Sequence, residues 1–414
     1  MAKAREMLGA KVARWLGVAE IKGSPALRRF GALLALGHVI TFVFWTASKD
    51  LPGLLAQRPH AAICWSFFED CWRLRPIPRA LIHWALIVYC VLAVLGTLLF
   101  LGHRVWRRST DWAYAALVAM NLLKMAIFVL DYRLMGNYHY MLFIVSFAYL
   151  FWPNKALVCR YLIVGFYISA GSLKLNPEWL SGAALLRPPF LTGWLGDMSL
   201  AYVVILELLL VLGLLSTNPI ILFATLAQFA IFHIYSWHIV GYFYPCIMFC
   251  LLGIFPLCFI DKLDGDRSPG MRLLRLRLPR STWLLLGLYA AAQIAPLLFP
   301  GDVALTGEGR IFALNMLDAK SECSLLLVTK EGNVHTEHAA LRPGLGVRIR
   351  CDPLVYFNTA QGLCRELGPG GDLDLSLVSR RETDTFYQPV LSVTDFCSKK
   401  LTYDTWFHNG WMDP

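Results

Sequence analysis

Lys174 stands inside an apolar run, in Tyr167-Ile-Ser-Ala-Gly171-Ser-Leu-Lys174-Leu-Asn176-Pro-Glu178-Trp179. A lysine within a membrane span must reach water, find a partner or give up its proton, and a lysine that gives up its proton easily is a base. Tyr167, Gly171 and Lys174 recur at helical spacing and share one face. The plainer alternative is a lysine at a helix end that snorkels to the interface. His139, in Gly136-Asn137-Tyr138-His139-Tyr140, can carry a proton near neutral pH, and Asn137 could orient it or polarise a carbonyl. Alone, the pair reads equally as an ordinary interfacial turn. Glu207 is flanked by leucines and needs a partner or a proton. His233, in Phe232-His233-Ile-Tyr235, is a possible partner for it, in a structural or a catalytic role. No histidine pair has axial-ligand spacing, and His335-Thr-Glu-His338 lacks a third ligand, so no metal is expected.

The elements that must position these residues are membrane helices. Of 414 residues 57% are hydrophobic and 16% charged, which excludes an ordinary soluble domain. The net charge of +10 lies largely in short segments beside apolar runs, a topology signal rather than a sign of nucleic-acid binding. Windows of ~20 apolar residues give roughly nine spans, near 30–47, 80–102, 112–131, 138–152, 157–174, 197–216, 218–235, 239–260 and 282–300. The expected fold is therefore an all-α polytopic membrane bundle with a C-terminal β-rich external domain. Its parts are a basic cytoplasmic segment (1–29), a transmembrane domain (30–300) and a periplasmic domain (301–414). No cleavable signal is expected at the N-terminus, and no glycosylation sequon occurs, which fits a bacterial inner-membrane protein.

Basic residues cluster before the first span and after the second and eighth, which puts those segments on the cytoplasmic side. The loop 48–79, with Lys49, Arg58, Arg73, Arg75 and Arg79, dissents. With nine spans, the stretches at Asn137, Lys174 and His233 fall at one membrane depth. In the tail, strands are expected at Arg310–Leu317, Ser324–Thr329, Gly346–Arg350 and Leu373–Val378, with turns at 343–345 and 368–371. Cys64, Cys71, Cys323, Cys351, Cys364 and Cys397 lie on the external side and are even in number, so they are disulfide candidates. Cys64–Cys71 is the easiest pair, and a bond from that loop to the tail is the alternative. The remaining cysteines fall in spans, where they act as small packing residues.

The lysine segment resembles the corresponding stretch of the vitamin K-dependent gamma-glutamyl carboxylases of the HTTM membrane family. Tyr167, Ala170, Gly171, Lys174, Leu175, Trp179 and Gly182 match in register, while Leu173 replaces a first lysine and Asn176 and Glu178 replace aspartates. Leu130-Asp131 with Asn137-Tyr138-His139 resembles the family's Leu-Asp and Asn-Asn-His turn with one extra residue, Phe232-His233 its Phe-His pair, and Glu207 its intramembrane aspartate. Gly309–Leu317 is similar to the start of the family's external region, though the tail is shorter than in the animal enzymes.

The resemblance implies that Lys174 deprotonates reduced vitamin K or menaquinol, with His139 and Asn137 assisting. Oxygen then turns the quinol into a strong base, a glutamate γ-proton is removed, and the carbanion takes carbon dioxide. Tyr167, Gly171, Glu178, Trp179, Glu207 and His233 are the expected pocket. The expected partners are the bilayer, a small quinone, oxygen, carbon dioxide and a secreted glutamate-containing peptide or protein. The alternative is a non-catalytic protein that binds quinone or lipid, or one that assists peptide maturation.

Overall fold

The computed structural model describes residues 17–106, 108–185, 187–265, 278–314, 320–331, 334–338, 345 and 349–412. Among them, eight helical segments are long and apolar enough to cross a membrane: 25–48, 79–101, 109–128, 155–173, 194–215, 219–240, 243–261 and 280–298. We label the long helices α1 (Pro25–Val43), α2 (Arg79–Leu101), α3 (Ser109–Phe128), α4 (Asn137–Phe151), α5 (Lys155–Leu173), α6 (Trp194–Leu208), α7 (Pro219–Val240), α8 (Phe243–Leu252) and α9 (Arg280–Ile294). Local chemistry places their starts. Ser24 caps α1 by accepting from the Leu27 amide ahead of Pro25, and Asn218 does the same for α7 ahead of Pro219. Large apolar side chains such as Trp84, Leu122, Ile220 and Ile231 remain exposed along the helices, as a bilayer-facing surface requires.

The expected span 138–152 is the exception. It forms α4, 15 residues long, where roughly 20 apolar residues make a comfortable crossing. Its contacts run along α3 from end to end. The His139 ring packs on Phe128, and the Tyr114 hydroxyl donates to the Leu150 carbonyl at 2.9 Å. Near its start, Tyr140 donates to the Phe312 carbonyl at 2.8 Å. Just past its end, the Trp152 indole donates to the Ser281 carbonyl at 2.9 Å, and the ammonium of Lys155 satisfies the carbonyls of Leu150 and Trp152.

The tail forms a four-stranded antiparallel sheet in the order β2-β1-β3-β4: β1 (Ser321–Glu331), β2 (Val334–His338), β3 (Gly371–Arg381) and β4 (Gln388–Val393). In β3 the even rhythm of Leu373, Leu375 and Leu377 faces the core. The sheet wraps α10 (Pro353–Leu367), a helix the strand-like reading of the tail did not anticipate; Asp352 caps it and Pro353 opens it. Of the expected strands, 324–329 and 373–378 lie within β1 and β3. The stretch 310–314 is turn instead, its successor 315–317 lies outside the described residues, and so does most of 346–350. The turn at 368–371 is present, with Gly368 and Gly370 at positive φ, whereas 343–344 is not described.

All six disulfide candidates pair: Cys64–Cys71, Cys323–Cys351 and Cys364–Cys397. The loop-to-tail disulfide does not form, yet the loop and the tail are one body. Asn358 of α10 bonds both the amide and the carbonyl of Cys64, at 3.0 and 3.2 Å. Asp352 takes the Tyr132 hydroxyl at 2.5 Å and Arg310 at 2.6 Å. Trp65 and Tyr132 belong to the core of the tail. The dissenting basic loop is thereby explained in part. Arg75 is buried on Asp131 and on the carbonyls of Leu54 and Leu130, so it is a structural ion rather than a topology signal.

Candidate functional site

Lys174 caps α5 and its side chain is 2% exposed, so it does not snorkel. Its ammonium is bonded to the Glu207 carboxylate of α6, which is wholly buried, and reaches the Ala170 carbonyl at 3.4 Å. Gly171 makes this meeting possible. A Cβ there would stand 2.9 Å from the Glu207 Cβ and 3.0 Å from Leu208, so only glycine lets the two helices approach. Asn176 then caps the turn Pro177–Leu180 and swings Trp179 back over the lysine, its ring 5.0 Å from the Nζ.

One helix turn before Gly171, the Tyr167 hydroxyl meets His233 Nε2 of α7 at 2.7 Å. Tyr167, Gly171, Lys174, Trp179, Glu207 and His233 thus come together in one cluster. Glu207 Oε1 and His233 Nδ1 have no hydrogen-bond partner among the described residues, so this cluster retains an acceptor and a ring nitrogen for something else.

Two members of the cluster, Lys174 and Trp179, line a cleft of about 330 Å³ between α6 and α7. Its walls are mainly apolar, with Leu200, Leu206, Phe232 and Ile239, and a few polar groups, Ser199, Gln228, Tyr235 and Tyr244. Tyr202 and Ile231 lie at its mouth and are 42% and 68% exposed among the lipid-facing residues, so the cleft opens sideways.

Three expected members stand elsewhere. Glu178 turns away to the tail, where it accepts from Thr383 Oγ1 at 2.6 Å and lies 3.5 Å from Arg381. Burial pushes the Glu178 carboxyl up, but the Thr383 hydroxyl and the Arg381 guanidinium outweigh this and hold it below the usual range. Asn137 and His139 are buried outside the cleft. His139 sits in an aromatic cage of Phe44, Trp45, Phe128, Tyr138 and Phe243. The successive residues Phe243 and Tyr244 of α8 face His139 and His233 respectively, so one helix separates two polar centres.

The second centre contains residues that the sequence reading passed over. Lys124 is fully buried with its Nζ 4.6 Å from the Phe143 ring, and His38 Nδ1 meets the Tyr89 hydroxyl at 2.7 Å. The signal was present: Lys124 interrupts an apolar run as Lys174 does. Among the described residues no cluster of three metal-ligating side chains occurs. Comparison with known proteins finds no family model, no curated protein and no solved structure that matches this chain.

Proposed function

We propose that the chain is a carboxylase-like membrane enzyme of the HTTM kind, in which Lys174 is the base toward a reduced quinone held in the α6–α7 cleft. The observation that carries this reading is the buried Lys174–Glu207 pair, whose lysine lines a mainly apolar cleft that opens among exposed apolar side chains. The residues suit a quinol. Trp179 and Phe232 offer flat apolar faces, and Glu207 Oε1 and His233 Nδ1 are buried polar atoms in need of a partner. When bound, a reduced vitamin K or menaquinol would supply, on reaction with oxygen, the strong base that removes a glutamate γ-proton ahead of carbon dioxide addition.

The chain's part is proton handling. Passing a proton from Lys174 to Glu207 abolishes two charges in an apolar site and leaves an amine lone pair toward the cleft. That amine accepts a ligand hydroxyl proton. Tyr167 holds His233 in one orientation, and the aliphatic walls keep water from quenching the products. Asn137 and His139 take no part in this first transfer.

Two contacts support a ninth crossing by α4, since its first turn meets the tail at Phe312 and Trp152, just past its end, meets Ser281 in the first turn of α9. The tail, the 48–79 loop and Lys174 then share one face, where a glutamate-containing peptide or protein would be modified. The basic segments support a cytoplasmic N-terminus, and three disulfides support an oxidising, periplasmic location for the tail in a bacterial inner membrane.

The test uses the full chain in nanodiscs with menaquinol or reduced vitamin K and a glutamate-rich peptide. Labelled bicarbonate should enter the peptide with the native chain and not with Lys174→Ala. Neither label nor quinone epoxide across several quinones would overturn the reading in favour of non-catalytic quinone or lipid binding.

A further inference from the structure

Lys124 lies one turn from the end of α3, yet none of its side chain reaches the surface. An ammonium is three donors and no acceptor, and the Lys124 Nζ has no hydrogen-bond partner among the described residues. Both ring nitrogens of His139, from α4, and Nε2 of His38, from α1, are also buried without one. Aromatic rings join these groups: His139 packs on Phe128 and Phe128 on Phe143, which lies under Lys124, while His38 reaches His139 through Tyr89 and Trp45.

Among the described residues no carboxylate forms an ion pair with Lys124; Asp111 pairs with Lys22, and Asp50 accepts from the Gly53 amide. Asp131 is held by Arg75 and Arg133, and Glu207 by Lys174. Three helices therefore contribute buried nitrogens without hydrogen-bond partners to one aromatic cluster, and among the described residues no carboxylate pairs with the lysine, an arrangement costly inside a membrane.

Beyond Phe143 lies an apolar groove of about 430 Å³ between α3, α4 and α9, lined by Leu122, Met125, Phe143, Leu288 and Ala292. Leu122 and Leu288 are 66% and 56% exposed, so this groove also faces lipid. Phe143 is the shared wall, forming part of the groove lining while its ring lies beside the Lys124 ammonium.

We propose that this is a second binding site, distinct from the Lys174 cleft, for a long-chain carboxylate. The carboxylate pairs with Lys124 and His139, and the alkyl chain lies in the α3–α4–α9 groove past a rotated Phe143. The headgroup chemistry follows from the donors. A carboxylate is acceptor-only, cancels the ammonium charge and takes charge-assisted bonds from both residues. The tail follows from the groove, which is apolar and open to the acyl region.

The experiment is photolabelling of the full chain in nanodiscs with a diazirine-bearing palmitate, followed by peptide mapping. Label is expected on α3, α4 and α9 near Leu122, Phe143 and Leu288. Unlabelled palmitate should compete, and its methyl ester should not. Lys124→Met should weaken competition by roughly tenfold or more, as expected for loss of a charge-assisted bond. Ala292→Trp, which fills the groove and leaves Lys124 intact, should reduce labelling even if Lys124→Met fails to fold. Equal competition by ester and acid, or labelling spread evenly over all lipid-facing helices, would overturn the proposal. Competition by acetate or bicarbonate as strong as by palmitate, with Ala292→Trp harmless, would point to a small free anion and overturn the long-chain ligand.

Discussion

Lys174 and Lys124 are both buried among the membrane helices, and they have opposite surroundings. Lys174 meets a carboxylate across a glycine-tight helix contact, beside a cleft. Lys124 meets an aromatic face in the cluster that also holds His139, and among the described residues no carboxylate pairs with it. Removing one member of a buried ion pair strands the other, whereas removing an unpaired ion relieves a cost. The same substitution should therefore have opposite signs at the two positions.

The largest expected effect is on turnover. Lys174→Ala should reduce quinol-dependent labelling by at least ~100-fold, the scale of a lost general base. A variant that folds, binds quinone and still turns over would end the base assignment. Next comes stability. Glu207→Leu should cost about 3–5 kcal/mol by stranding Lys174, and Lys174→Met/Glu207→Leu should recover much of that, because no ion is left unpaired. Thermal unfolding in detergent reads both, and an additive double variant would show that the pair is not coupled.

Lys124→Met is the counter-case. It should leave the apparent melting temperature unchanged or raise it in lipid-free detergent, and lower it relative to the native chain when a long-chain carboxylate is present. A loss of ~3 kcal/mol without ligand would mean that Lys124 is paired after all.

The smallest effect lies at the tail. The Glu178 carboxyl is held below its usual range in the folded chain, so its contribution is fully present above the carboxylate's unfolded pKa. It disappears as pH falls through the folded value. Glu178→Gln should therefore weaken tail docking by less than about 1 kcal/mol near neutral pH and make no difference in strong acid. Proteolysis of the 177–185 segment as a function of pH measures it.

The match between span windows and helices was close because a bilayer selects for length and apolarity, which are local properties. The tail was less legible. Strand rhythm revealed β3, whereas α10 went unread although its signals are local: Asp352-Pro353 at its start, Gly368 at its end and one apolar face along it. Lys174, Gly171 and Tyr167 could be grouped because one helix carries them at fixed spacing.

What the sequence by itself determined is therefore the class of the molecule: a membrane bundle, a disulfide-bearing tail and an intramembrane lysine that demands a partner. Only the tertiary structure decided the partners. Glu207 is 33 residues from Lys174 and His233 is 66 from Tyr167, and the Gly171 contact brings the first pair together. It also decided that His139 belongs with Lys124 and that Glu178 belongs to the tail. The reason is physical. Burial and hydropathy act residue by residue along the chain, whereas charge compensation in a membrane depends on which helix faces which, and helix packing alone sets that.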